Sequence, residues 1–164
     1  MLLLAAVALA VVAPVTAVAG VRSPSLAASI THSGSFSGVA ATSASNAWAV
    51  GNTSGGRTMI LHWNGTAWTH QSSPNIEGAF QAVAATSARN AWAVGCSGCL
   101  AGGAGDPLIE RWNGTTWKKV PAPSVTALAG LYGVTAISPA NAWAVGTPTG
   151  DPGHTTGIYA SASG

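Results

Sequence analysis

The chain carries very little charge. Among its 164 residues there are only six basic and four acidic side chains, for a formal net charge of +2. Surfaces that bind nucleic acids need clustered Lys and Arg to neutralise phosphates. Here only Lys118 and Lys119 are adjacent, with Arg111 nearby. We therefore expect no nucleic-acid partner.

The few acidic residues also argue against catalysis. Glycoside hydrolysis, for example, uses a pair of carboxyl groups that flank the scissile bond. No two acids of this chain lie at a motif spacing; they are Glu77, Asp106, Glu110 and Asp151. We predict a protein that is not an enzyme by itself, with no catalytic residues and no cofactor.

Metal ligands are equally scarce. The four histidines are spread along the chain, and the two cysteines, Cys96 and Cys99, stand alone. A structural zinc site would need a second pair of ligands, and a thioredoxin-like motif would need a helical context that is absent here. We predict no metal site. In an exported chain the cysteine pair is expected to form a disulfide that closes a small loop.

One long apolar run is present, at residues 1–19. It ends in Ala17-Val18-Ala19, the small-residue pattern of a signal-peptidase site, and so predicts secretion with no membrane contact after cleavage. The alternative is an uncleaved membrane anchor. Pro14 interrupts the run, which is short for a bilayer span of about 20 residues. Residues 20–35 are expected to be a linker or a loosely packed first strand.

Two phrases recur in the remainder of the chain. The first is GVAATSASNAWAVG at residues 38–51, which returns with few changes at 82–95 and 133–146. The second, WNGTxW, follows the first two copies at residues 63–68 and 112–117. Self-similarity at a fixed period indicates that one supersecondary unit is stacked several times.

Alternation along the first phrase predicts strands with unequal faces. Trp48 and Val50 fall on one face, and Ala47 and Ala49 fall on the other. We expect the bulky face of each sheet to pack on the bare face of the next. In the second phrase, Asn-Gly favours a two-residue type I′ turn. That turn would place the two tryptophans of the phrase as diagonal neighbours.

Four strands in about 45 to 50 residues match the size of a β-propeller blade. The predicted fold is all-β, with propeller-type repeats of four-stranded antiparallel blades. Two blades are complete, at about 36–74 and 80–121, and a third at about 131–161 is partial, so that residues 36–164 form a partial propeller. Closed propellers have about four to eight blades. Three explanations stay open: a fragment of a longer protein, copies that assemble into a ring, or an open stack.

The stretch SASNAWAVG followed by ILHWNGTAW resembles the blade repeats of secreted bacterial kelch-like and sialidase-like propeller proteins. The resemblance implies the propeller fold and an extracellular location. Sialidase-like activity would further imply an arginine cluster and a tyrosine nucleophile. The arginines here are scattered, at positions 22, 57, 89 and 111, so the resemblance does not extend to that activity.

The expected function is a non-enzymatic extracellular binding or scaffold module. Its partner would be a protein or a glycan, with self-association to complete a ring as a further possibility. The alternative is a fragment of a glycan-active hydrolase. The long loop at residues 96–107, which includes Asp106, is the predicted contact surface. Most tryptophans are expected in the core, whereas Trp68 and Trp117 on the outermost strands are the candidate ligand contacts.

Overall fold

The computed structural model of the protein describes residues 33–74, 76–101, 105–122, 128–148 and 157–162. The predicted signal peptide and most of the predicted linker lie outside these residues. The described part consists of strands and one short 3₁₀ turn at Cys99–Ala101. The strands are β1 (Gly34–Ser43), β2 (Asn46–Thr53), β3 (Thr58–Trp63), β4 (Trp68–His70), β5 (Gly78–Ser87), β6 (Asn90–Ser97), β7 (Asp106–Trp112), β8 (Trp117–Lys119), β9 (Leu128–Ser138), β10 (Asn141–Pro148) and β11 (Gly157–Ala162).

The strands form three antiparallel sheets that follow the chain order. Blade 1 is β1-β2-β3-β4, blade 2 is β5-β6-β7-β8, and blade 3 contains β9, β10 and β11 with β10 in the middle. Strands β1 and β5 contact each other across blades, and so do β5 and β9. The first strands therefore lie side by side, as the inner strands of propeller blades do. The predicted all-β fold of propeller-type blades is confirmed.

The blades pack with a bulky face on a bare face, as predicted. Trp48 and Val50 of blade 1 are completely buried and form one cluster with Ala91 and Ala93 of blade 2. A second cluster repeats this arrangement one blade further on. In it Trp92 and Val94 pack against residues of blade 3, namely Leu131, Ala142 and Ala144. Because a buried indole removes roughly 150–250 Å² from water, these contacts dominate the core.

The turn predicted for the WNGTxW phrase is wrong. The side-chain Oδ1 of Asn64 accepts hydrogen bonds from the backbone N–H groups of Thr66 and Ala67, both at 2.9 Å. This Asx turn widens the connection to four residues, so that Trp63 pairs directly with Trp68 and their ring centroids lie 5.8 Å apart. Gly65 has φ +94° within it. The second copy of the phrase repeats the same bonds and pairing.

In blades 1 and 2, the asparagine that precedes the Ala-Trp-Ala-Val segment ties the strands of the blade together. In blade 1 the Nδ2 of Asn46 donates to Thr42 Oγ1 at 2.6 Å, and its Oδ1 contacts His62 Nε2 at 2.7 Å. In blade 2 the Nδ2 of Asn90 donates to Thr86 Oγ1 at 2.8 Å, while Arg111 Nε donates to its Oδ1 at 3.4 Å. Both asparagines are buried. Side-chain hydrogen bonds thus link the first, second and third strands of these blades.

The third copy offers an internal control for this asparagine. Asn141 is exposed, and its Nδ2 donates to Ser138 Oγ at 3.3 Å. We expect Asn90→Ala to lower the free energy of unfolding by about 1–3 kcal/mol, since it leaves buried partners unsatisfied. Asn141→Ala should change it by less than about 0.5 kcal/mol. Urea denaturation monitored by tryptophan fluorescence measures both values. Equal losses would contradict the structural role assigned to Asn90.

Candidate functional site

Three loops meet at one end of blades 1 and 2. They connect β2 to β3, β4 to β5, and β6 to β7. The backbone N–H of Gly78 donates to the carbonyl of Gly56, and the N–H of Gly98 donates to the carbonyl of Glu77, both at 2.9 Å. We call this surface the loop end; its described residues are 54–57, 76–78, 96–101 and 105–107. The backbone bonds join loops of two blades into one surface.

The loop predicted as a contact surface belongs to the loop end. Cys96 and Cys99 form the predicted disulfide, with Cα atoms 5.9 Å apart. The 3₁₀ turn that begins at Cys99 carries Leu100, whose side chain is 49% exposed. Leu100 lies over Gly56, because a Cβ placed at that glycine would be 3.6 Å from Leu100 Cδ1. An apolar side chain is therefore held at the surface by a disulfide on one side and a neighbouring loop on the other.

Asp106 closes the same loop. It is the first residue of β7, it is exposed, and its backbone carbonyl accepts a hydrogen bond from Ser97 Oγ at 3.4 Å. The structure places it in the loop end, where the sequence predicted a ligand contact. Its role as a contact stays a prediction.

The two candidate tryptophans have different surroundings. Trp68 is half-buried at the edge of a groove of about 450 Å³ on the outer face of blade 1. Trp117 is only 4% exposed, because blade 1 covers it and the ring of Trp48 lies 5.2 Å away. A tryptophan on an outermost strand was predicted to be accessible. This holds only for Trp68, because no blade covers that face of blade 1, whereas blade 1 covers Trp117. Trp117 is part of the core between the blades.

Of the four histidines, His62 and His70 lie within the described residues, whereas His32 and His154 lie outside them. Within the described residues no three His, Cys, Asp or Glu side chains lie together in a group that could hold a metal ion. His62 stacks on Trp48 with ring centroids 4.2 Å apart, and burial lowers its pKa. His70 pairs with Leu61, which places it on the opposite face of the sheet. His62 thus serves the packing of blade 1.

Of the four acidic residues, Glu77 and Asp106 are exposed, Glu110 is buried, and Asp151 lies outside the described residues. Glu110 is completely inaccessible, and neither carboxyl oxygen has a hydrogen-bond partner among the described residues. Register places it beside Ala93 and Lys119, on the face of blade 2 that blade 1 covers. Desolvation raises the pKa of Glu110 to about 8, although the nearby Lys119 acts in the opposite direction. Nothing in the sequence pattern predicts that Glu110 is buried.

Comparisons with known proteins show the fold alone. No protein-family model matches the chain, and no curated protein sequence matches it either. Among solved structures, the chain is similar to YCF48 bound to D1 peptide, a β-propeller, with a TM-score of 0.54 and 13% sequence identity. The alignment covers 80% of this chain and 38% of that chain. The chain thus spans well under half of that propeller.

No helix in the described part of the chain has the length and apolar character needed to cross a membrane.

The burial of Glu110 predicts a pH-dependent stability. Its pKa in the folded chain, about 8, lies above the ordinary value of 4.5. As the pH rises, the unfolded chain therefore loses the carboxyl proton of Glu110 at a lower pH than the folded chain does. The free energy of unfolding falls between about pH 4.5 and about pH 8, by at most about 1.4 kcal/mol per pH unit. Thermal denaturation between pH 6.5 and 9 measures the slope, because the lowered pKa of His62 has the opposite effect on stability only below its ordinary value of 6.5. Glu110→Gln should remove most of it.

Blade 1 supplies a natural replacement for this residue, because Leu61 occupies the equivalent position. Glu110→Leu should raise the melting temperature at every pH, since it replaces an unpaired carboxyl with an apolar side chain. Glu77→Gln, which alters an exposed acid, is the control and should leave the slope unchanged. A Glu110→Gln variant with the slope of the original chain would contradict the assignment.

Proposed function

We propose that this protein is a non-enzymatic, propeller-type binding module that acts outside the cell and holds a polypeptide partner at its loop end. The observation that carries the proposal is Leu100, an exposed leucine in the 3₁₀ turn that directly follows the Cys96–Cys99 disulfide loop. Loops supported by a rigid sheet are common binding surfaces. A leucine side chain also loses only about 0.5–1 kcal/mol of rotamer entropy when a partner covers it.

Further support comes from how the loop end is built. Backbone hydrogen bonds connect Gly98 to Glu77 and Gly78 to Gly56, so loops from blades 1 and 2 contribute to one continuous surface. The loop end also carries three exposed charged residues, Arg57, Glu77 and Asp106. This combination suits a peptide segment that has an apolar side chain to contact Leu100 and a hydrogen-bond donor to contact an exposed carboxylate. The structural neighbour is itself a propeller bound to a peptide, which supports the idea that such a fold can carry this function.

A polypeptide is favoured over a glycan as the partner of the loop end, because the aromatic rings of the described residues lie elsewhere. Protein sites for sugars commonly present exposed aromatic faces. Here Trp63 and Trp68 lie on the outer face of blade 1, and Trp112 and Trp117 contact Trp48 within the blade interface. No described residue of the loop end is aromatic. The kelch-like and sialidase-like resemblance of the repeats therefore supports a binding role better than a glycan-cleaving one.

The extracellular setting is part of the same proposal. The apolar run at residues 1–19 has the pattern of a signal peptide. A disulfide between Cys96 and Cys99 is stable in oxidising compartments and rare in the cytosol. Both features are expected of an exported protein.

The loop end can be tested with a library of random peptides displayed on phage and selected against the immobilised protein. Peptides obtained in this way should lose at least tenfold in affinity towards Leu100→Ser, because the substitution removes the apolar anchor. Ile137→Ser is the matched control, since Ile137 is also exposed, at 69%, but lies in blade 3. Isothermal titration gives the affinities.

Three results would contradict this proposal. One is a set of selected peptides that bind Leu100→Ser as well as the original protein. Another is the absence of any selected peptide together with binding on a glycan array. The last is release of a chromophore from aryl glycosides by the purified protein, which would favour a glycan-active hydrolase instead.

A further inference from the structure

The outer face of blade 1 is exposed, whereas the equivalent face of blade 2 is covered by blade 1. Register pairs Val39 with Ala49 in blade 1, as it pairs Val83 with Ala93 in blade 2. Phe36 likewise corresponds to Phe80, since each pairs with the glycine that ends the repeated phrase. At these three positions the two faces thus have the same apolar residues.

Their exposure differs sharply. In blade 2, Phe80 is 0% and Val83 is 8% exposed, because Trp48 and Val50 of blade 1 pack on them. In blade 1, Phe36 is 48% and Val39 is 70% exposed. We call this bare face the blade 1 groove; its lining includes Phe36, Val39, Ala49, Leu61 and Trp68. The covered face shows what fits such a surface: the Trp-Val face of another blade.

The groove is also more apolar than the equivalent face of blade 2. Leu61 lies where blade 2 has the buried Glu110, since Leu61 pairs with Ala49 and Glu110 pairs with Ala93. A partner that covers the groove would therefore not have to bury a carboxyl group, which is the costly part of the interface inside the chain. No described residue of the groove carries a formal charge.

The matching surface occurs at the other end of the same stack. Trp143 and Val145 of blade 3 correspond to Trp48 and Val50 by the repeated phrase. The opposite face of blade 3, with Ala142 and Ala144, is the one packed on blade 2. Trp143 is only half-buried and Val145 is 39% exposed. The stack thus presents a bare Trp-Val face at one end and a bare receiving groove at the other.

We propose that the blade 1 groove binds the Trp143 face of a second copy of this chain, in the same ring-on-alanine arrangement that joins blades 1 and 2. The contact is head-to-tail, so each copy uses two different surfaces, and association continues until a ring closes or a filament grows. The proposal does not depend on the loop end or on the proposed peptide binding.

Two charge substitutions test the two surfaces separately. Val39→Arg alters the groove at a position exposed enough to leave the fold intact, and Val145→Arg alters the opposite face. Sedimentation velocity over a concentration series should show association of the original protein and a single-chain species for each variant alone. Ile137→Arg makes the same kind of change at an exposed position and should associate like the original.

A mixture of the two variants identifies the geometry. Val39→Arg retains an intact Trp143 face, and Val145→Arg retains an intact groove, so an equimolar mixture should form a one-to-one dimer. Circular dichroism and a cooperative thermal transition confirm that each variant is folded before the comparison.

Several outcomes would overturn the proposal. A single-chain species of the original protein at all concentrations would exclude a second copy as the occupant, which points to a further blade of a longer polypeptide or to the undescribed residues 1–32. Association of Val145→Arg alone would indicate a groove-to-groove contact. Association of both single variants would place the contact on another surface, and so would a mixture that fails to dimerise.

Discussion

The stack of blades depends on one contact, in which an indole ring of one sheet lies on the alanine face of the next. Trp48 packs on Ala91 and Ala93, and one blade further on Trp92 packs on Ala142 and Ala144. Alanine lets the two sheets approach closely, and the ring fills the space that alanine leaves. Densely packed interiors tolerate neither a cavity nor an extra methylene group. A smaller residue in place of the tryptophan, or a larger one in place of the alanine, would therefore destabilise the contact.

The same contact explains why so few polar groups specify the fold. In a chain with little charge, the asparagines two residues before Trp48 and Trp92 supply hydrogen bonds that join the strands of blades 1 and 2. Asn46 and Asn90 connect a bulged first strand to a third-strand side chain that stacks on the tryptophan: His62 in blade 1 and Arg111 in blade 2. In each of these two blades, one asparagine thus stabilises the strand register and also holds the side chain that orients the tryptophan ring packed on the next blade. Such consistency between local and long-range contacts favours a single fold.

The strands, the two unequal faces and the packing of ring on alanine could be predicted from the sequence, because period-two alternation and exact repetition are local signals. The turn at Asn64 could not, since the same Asn-Gly pair suits both a type I′ turn and the Asx turn that Asn64 Oδ1 stabilises. The burial of Trp117 and Glu110 was also missed. Exposure at those positions depends on whether a neighbouring blade is present, and alternation within one strand carries no information about that.

The contact between rings and alanines is tested most directly by filling the alanine face. Ala93→Leu should lower the free energy of unfolding by about 1–3 kcal/mol, because Trp48 covers that position and no space is left. Ala49→Leu makes the same change at the equivalent position of the bare face and should be nearly neutral in a single-chain species. Denaturant titration of both variants at low protein concentration gives the comparison. Equal effects, or a larger loss for Ala49→Leu, would contradict the account.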